Sequence, residues 1–204
     1  MRLYSRKNTV TLENGKVIKK FADIISLRRE FDMVKLLKSR GVPVPDVLRV
    51  YGSTIEYGFI KGETYQSLVD CFEKKHARAL LEWLELYYAA AGTLRGDVNL
   101  RNFIYSGEDV CYGVDFEEIC HAGERESDFG RIIAFAVTYE PPFTKEKANC
   151  AKLLLGCFND SGADEIKIRE AYIKEMQDIV KRRRESSYDT DKARNFWSLR
   201  IAGR

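Results

Sequence analysis

Histidine is scarce in this 204-residue chain: His76 and His121 are the only two, and neither has ligand partners at a metal-binding spacing. Both are therefore read as surface or core residues. The five cysteines (Cys71, Cys111, Cys120, Cys150 and Cys157) are odd in number and scattered, with no Cys-x-x-Cys pair, so neither a zinc site nor a disulfide framework is indicated. A reducing compartment is the simplest setting. The start, Met1 to Lys7, lacks the apolar stretch of a signal peptide, and no run approaches the roughly 18 apolar residues of a membrane helix. Charge of one sign is also in short supply, since 34 basic and 31 acidic residues leave a net +3. Nothing there argues for nucleic acid or a membrane surface. With no internal repeat and no low-complexity tract, the expectation is a cytoplasmic globular protein.

With 45% hydrophobic residues, the chain can bury a real core. Thr9-Val10-Thr11-Leu12 alternates, Glu13-Asn14-Gly15 is a turn, and Lys16 to Phe21 completes a hairpin. Over 22–40 the period becomes helical, with Leu27, Glu30, Val34 and Leu37 on one stripe. Gly41, Pro43 and Pro45 stop that helix. Two short strands, 47–53 and 54–60, follow. Beyond Gly62 the pattern predicts a short helix over 65–72 and a long one over 75–92, with Leu80, Leu81, Leu84, Tyr87 and Tyr88 as its apolar face. Trp83 is read as core on that helix. A hairpin spans 103–114, and helices are expected over 128–139, 145–158 and 163–184, with Trp197 docking the tail. The division expected is a first lobe, 1–62, and a second, 63–204, together one domain.

Arg95-Gly96-Asp97-Val98-Asn99-Leu100-Arg101-Asn102 ends a long helix and enters the short hairpin, which closes in Val114-Asp115-Phe116-Glu117. An Asp that orients an attacking hydroxyl, an Asn five positions on that ligates Mg²⁺, and a second metal-binding Asp after a short strand are what phosphoryl transfer requires. Asp and Asn also shape turns, but a turn alone would not need this order of helix, loop, hairpin and Asp.

These motifs resemble those of the protein-kinase-like superfamily, in its small-molecule and atypical branch: aminoglycoside phosphotransferases, choline and lipopolysaccharide kinases, and RIO-type kinases. That branch often writes His-Gly-Asp for the loop and Asp-Phe-Glu for the metal motif; here they are Arg95-Gly96-Asp97 and Asp115-Phe116-Glu117. The resemblance covers most of 9–139. It implies an α+β, bilobal fold with a small antiparallel-sheet N-lobe plus one helix and a compact, mainly helical C-lobe. It also implies Asp97 as the catalytic Asp, Asn102 and Asp115 as Mg²⁺ ligands, and ATP as donor. The strand lysine that meets the phosphates would be Lys19 or Lys20, which strand alternation points to opposite faces, and Glu30 its helix partner. A surface Lys and Glu at the margin of an apolar stripe would read the same way. Gly58 and Ile60 would bind adenine through backbone groups, with Tyr57 at the back of the pocket, although a plain edge strand fits those letters too. Asp128 would cap its helix and brace the catalytic loop.

Three departures matter. No Gly-x-Gly-x-x-Gly precedes the Lys19 strand; Ser5-Arg6-Lys7-Asn8 stands there, so any phosphate cradle is built differently. Arg95 replaces the usual His, a scaffold position. Only ten residues separate Glu117 from the helix near Asp128, which leaves no room for a phosphorylated activation loop. The resemblance thus implies a phosphotransferase for a small-molecule, sugar or lipid-linked hydroxyl. A RIO-like protein kinase and a nucleotide-binding pseudokinase scaffold are the alternatives. The acceptor groove is expected from residues after Ile119 and the last helices. Lys181, Arg182, Arg183 and Arg184 end a helix, where cations suit the dipole, and offer a second use as an anionic-surface contact.

Overall fold

The computed structural model describes residues 2–3, 7–118, 121–183 and 190–202. Arg6, Ile119, Cys120 and Arg184 lie outside them. The first part of the chain is a five-stranded antiparallel sheet in the order β1-β2-β3-β5-β4: β1 is Arg2–Leu3, β2 Thr9–Glu13, β3 Lys16–Lys20, β4 Val47–Tyr51 and β5 Thr54–Gly58. Register pairs Lys19 with Val10 on one side and Ile55 on the other. The lysine therefore stands in the middle of the sheet, and alternation turns it inward while Lys20 is exposed.

Helix α1, Ile24–Ser39, crosses that sheet between β3 and β4. Asp23 caps it, accepting from the Ser26 backbone N–H at 2.7 Å, and its buried residues are Leu27, Glu30, Val34 and Leu37, the stripe expected from the sequence. One of those four is a carboxylate, and a buried carboxylate demands donors.

A second, three-stranded sheet runs β6-β7-β8, with β6 Glu63–Thr64, β7 Phe103–Tyr105 and β8 Cys111–Gly113. The hairpin β7–β8 was legible; β6, two residues long, has too few positions for alternation to show. The helix expected over 65–72 is a single turn, α2 (Tyr65–Leu68), continued by a 3₁₀ turn, Val69–Cys71. Helix α3, Lys74–Ala91, opens with a capping box between Glu73 and His76. Its buried face differs from the one expected: Leu80, Leu84 and Tyr87 are inside, but Leu81 and Tyr88 sit at the margin, and His76, Ala77 and Trp83 complete the face. His76 is thus a core residue, edge-on to Tyr105 at 4.5 Å between ring centres. Burial lowers its pKa below the ordinary histidine value.

Trp83 does more than fill space. Its indole N–H donates to the Pro43 carbonyl at 2.7 Å, and Gly113 N–H donates to the same carbonyl at 3.2 Å. One backbone oxygen in the turn after α1 thereby fastens the segment behind α1 to the hairpin that leads to Asp115. Gly113 has no alternative residue here, because a Cβ would fall into the Trp83 ring.

The remaining helices are α4 (Glu126–Thr138), α5 (Lys145–Asp160), α6 (Glu165–Arg183) and α7 (Thr190–Phe196), which runs into a π turn, Trp197–Ile201. α4 is apolar nearly all round and buried, packed against α5 and α6. Gly130 brings it onto the backbone of α6 at Ile168 and Tyr172, where any side chain would collide. Trp197 is buried and lies 5.0 Å from the Tyr172 ring, which docks the tail on α6. The chain is thus α+β, an antiparallel-sheet N-terminal part joined to a mainly helical C-terminal part.

Candidate active site

Lys19, Glu30 and Asp115, drawn from β3, α1 and the residue pair after β8, meet at one point. Lys19 Nζ donates to Glu30 Oε2 at 2.6 Å and to Asp115 Oδ1 at 2.7 Å, with Glu117 Oε2 at 3.7 Å. Lys20, the alternative, is exposed and takes no part in this cluster. Burial works against the charge on Lys19, but the attraction and hydrogen bonds of Glu30 and Asp115 outweigh it and raise its pKa above the usual lysine value. Glu30 receives two further donors, Tyr57 O–H at 2.8 Å and the Phe116 backbone N–H at 3.2 Å. Its carboxylate therefore fixes the lysine, the back of the sheet and the metal motif at once.

The Arg95–Asn102 loop is braced from below. Asp128 accepts from the backbone N–H of Arg95 at 2.8 Å and of Gly96 at 3.3 Å, and from Tyr88 O–H at 3.2 Å. The expected helix cap is not its role: α4 begins two residues earlier at Glu126, and the Asp128 carboxylate is spent on the loop. Arg131, one turn along α4, donates to the Gly96 carbonyl and pairs with the buried Glu175 at 3.1 Å. Within the loop, the Asn99 N–H donates to Asp97 Oδ1 at 3.3 Å, and Asn102 Nδ2 donates to the Asp97 carbonyl at 3.4 Å. Val114 N–H then donates to the Asn102 carbonyl at 2.9 Å, tying loop and metal motif together.

Arg95, which stands where a histidine was expected from the resemblance, is buried. Its guanidinium donates to the carbonyls of Val114 and Asp115 and lies 4.5 Å over the Phe116 ring. Asp115 has φ +66°, a left-handed conformation that costs a non-glycine residue of order 1 kcal/mol and persists where its surroundings hold it. The guanidinium holds its carbonyl, and Lys19 holds its side chain.

Gly58 ends β5, and its N–H is already given to the Asp46 carbonyl at 2.8 Å. Ile60 follows in the short connection to β6, half-buried. The Tyr57 side chain is buried and donates its O–H to Glu30. Sequence reasoning did not find Asn8. It is buried, its Oδ1 accepts from Ala22 N–H at 3.0 Å, and its Nδ2 donates to Glu117 Oε2. Asn8 is thus tied to Glu117, a contact across 109 residues that leaves no local sequence signal.

The carboxylates of Glu30, Asp115 and Glu117 each place an oxygen within 4.8 Å of the others. Hard oxygen donors of this kind suit Mg²⁺. Glu30 is committed to three donors, whereas the Asp115 side chain is 40% exposed and engaged through one oxygen, so Asp115 fits the metal better.

No protein-family model matches the chain, and no curated protein matches it in sequence. Solved structures do match. Plasmodium vivax ethanolamine kinase superposes with a TM-score of 0.57 at 11% identity, covering 98% of this chain and 81% of that one. WbdD, in a structure at 2.2 Å resolution, gives a TM-score of 0.56 at 14% identity. WbdD in complex with the kinase inhibitor LY294002 gives 0.54 at 14% identity. The chain spans under half of the WbdD chains, 44% and 45% of their length. The chain therefore shares the protein-kinase-like fold of ethanolamine kinase and WbdD.

Proposed function

We propose that this chain is an ATP- and Mg²⁺-dependent phosphotransferase that moves the γ-phosphoryl group to a hydroxyl of a small molecule, sugar or lipid-linked head group. The observation that carries the reading is Lys19, buried and fully charged between Glu30 and Asp115, in a chain that also presents Asp97 and Asn102 on one braced loop. A buried ammonium held by two carboxylates costs desolvation and adds little to stability beyond what an apolar packing would. Its use is to meet phosphate.

Phosphoryl transfer asks the protein for positioning and charge stabilisation more than for covalent chemistry. Lys19 would contact the α- and β-phosphates, with Glu30 keeping it aimed. The backbone at Gly58 and Ile60 would hold adenine in front of Tyr57. Asp115 and Asn102 would hold Mg²⁺, which when bound offsets phosphate charge. Asp97 orients the acceptor hydroxyl and takes its proton late in the transfer. The likeness to ethanolamine kinase and WbdD supports kinase-type chemistry on this fold, and the short path from Glu117 to α4 supports an acceptor other than a conventional kinase peptide.

The test is Mg²⁺-ATP binding and turnover in the wild type, Asp97→Ala and Asp115→Ala, with a broad acceptor panel of sugars, aminoglycosides, choline-like alcohols and proteins. Asp97→Ala should bind Mg²⁺-ATP and lose turnover; Asp115→Ala should lose metal-dependent binding with the fold intact. Nucleotide binding by the wild type with no turnover on any acceptor would establish a nucleotide-binding scaffold instead.

A further inference from the structure

A cavity of about 460 Å³ opens between α2 with its 3₁₀ turn and the facing ends of α4 and α5, inside the range of roughly 300–1,000 Å³ typical of small-ligand sites. Gln66, Val69 and Asp70 line one side, and Tyr139, Glu140 and Lys147 the other. Two links tie it to Asp97. The α2 turn that carries Gln66 packs on the 3₁₀ turn Leu100–Asn102. The Tyr139 hydroxyl donates to Asn99 Oδ1 at 2.8 Å and accepts from Leu100 N–H at 3.2 Å, while the Asn99 backbone N–H donates to the Asp97 carboxylate. One wall of the cavity is therefore two hydrogen bonds from the catalytic carboxylate.

We infer that this cavity is the acceptor site and that it takes a neutral, polyhydroxylated acceptor, a saccharide; the transfer step rests on the phosphotransferase reading above.

The lining selects the class. Lys147 is 1% exposed, and its ammonium, with three N–H donors, donates to Asp70 Oδ1 at 2.9 Å, its single side-chain partner among the described residues. A cationic alcohol would bring a second ammonium against Lys147. An anionic one would face both Asp70 and Glu140. A sugar hydroxyl avoids both conflicts, because it accepts from the ammonium or the Gln66 amide while donating to a carboxylate. The paired Asp70 and Lys147 offer an acceptor and a donor 2.9 Å apart, the spacing that adjacent hydroxyls on one ring can use together. Tyr139 and Val69 supply apolar surface for the ring's C–H faces. In the step itself, a hydroxyl oxygen bonds to the γ-phosphorus and the bond from that phosphorus to the β–γ bridging oxygen breaks. ADP leaves with the electron pair, and the hydroxyl proton passes to the Asp97 carboxylate.

The experiment is ligand-observed NMR and calorimetry on the full chain with glucose, galactose, mannose and N-acetylglucosamine, and with ethanolamine, choline and glycerol 3-phosphate. Each ligand is tested with and without a non-hydrolysable Mg²⁺-ATP analogue. At least one neutral sugar should bind, and Gln66→Ala and Asp70→Ala, both at exposed positions, should each weaken it by about tenfold with nucleotide affinity unchanged. Absence of sugar binding, binding of the cationic or anionic ligands in its place, or sugar binding indifferent to both variants would overturn the inference. Sugar binding that responds to the variants in a chain that never turns over ATP would keep the saccharide site and remove the phosphotransferase reading.

Discussion

Lys19 on β3 reaches Asp115 Oδ1 at 2.7 Å across 96 residues of sequence, and it does so from a position 8% exposed. The same ammonium is the main partner of the Glu30 carboxylate, 3% exposed. Lys19→Met would keep the volume and remove the charge, leaving Glu30 buried without its cation. Breaking such a pair from one side costs about 3–5 kcal/mol. The cost depends on pH. Burial already pushes the Glu30 carboxyl up, and without Lys19 it rises further, above its value in the unfolded chain. A group with a raised folded pKa stabilises the fold while protonated and loses that contribution as pH rises through the folded value. The gap in stability between wild type and Lys19→Met should therefore be small near pH 4 and widen toward pH 7. Urea unfolding at several pH values measures it, and a gap independent of pH would show that Glu30 does not depend on Lys19.

Gly113→Ala tests the contact that sets the height of the metal motif. The added methyl would meet the Trp83 ring, whose N–H is held by Pro43 and whose face stacks on Tyr87 at 5.4 Å, so the indole has no easy retreat. Overpacking of this kind costs about 1–3 kcal/mol. The expected result is a lower Tm together with weaker Mg²⁺-ATP binding, since Asp115 is two residues away. A Tm equal to wild type would mean the ring moves freely.

Asp128→Ala removes an acceptor from two backbone amides and the Tyr88 hydroxyl. Leaving buried donors unsatisfied costs about 1–3 kcal/mol per group. Because those amides belong to Arg95 and Gly96, the loss should fall on the catalytic loop: turnover should drop more than nucleotide affinity. Asp128→Asn, which keeps one acceptor oxygen, should recover part of both stability and turnover. Equal behaviour of the two variants in melting and in rate would count against the brace.

Much of this architecture could be read in advance because its signals are local. Asp97, Asn102 and Asp115 fall within nineteen residues, and the hairpin between them has its own turn chemistry. Glu30 was visible as a carboxylate on an otherwise apolar helical stripe, and strand alternation left only Lys19 or Lys20 to meet it. The structure chose between them by register. What could not be read are contacts between residues distant in sequence with no periodicity to announce them: Asn8 with Glu117, Tyr139 with Asn99, and Arg95 with the carbonyls beside Asp115. The Asp128 cap was misassigned because an acidic residue near a helix start suits both the helix N–H groups and a neighbouring loop, and the sequence does not say which is closer.

Arg95 offers the sharpest separation of scaffold from chemistry. The families whose motifs this chain resembles often place a histidine there, and no ring nitrogen of a histidine carries the two N–H donors that the single Nη2 of Arg95 gives to two successive carbonyls. In this chain those carbonyls belong to Val114 and Asp115, and the second residue sits at φ +66°. Arg95→His should relax that turn and let the Asp115 carboxylate swing within its cleft, with Lys19 still pulling on it. The expected effect is several-fold more Mg²⁺ needed for half-maximal nucleotide binding, with a smaller change in affinity at saturating Mg²⁺. A purely structural role would instead lower Tm with no shift in the Mg²⁺ requirement, and Arg95→Lys, which can give one nitrogen to both carbonyls but has no planar group to lie over Phe116, should fall between wild type and Arg95→His. A Mg²⁺ titration followed by nucleotide fluorescence distinguishes these outcomes, and an unshifted midpoint in Arg95→His would remove Arg95 from the metal motif's support.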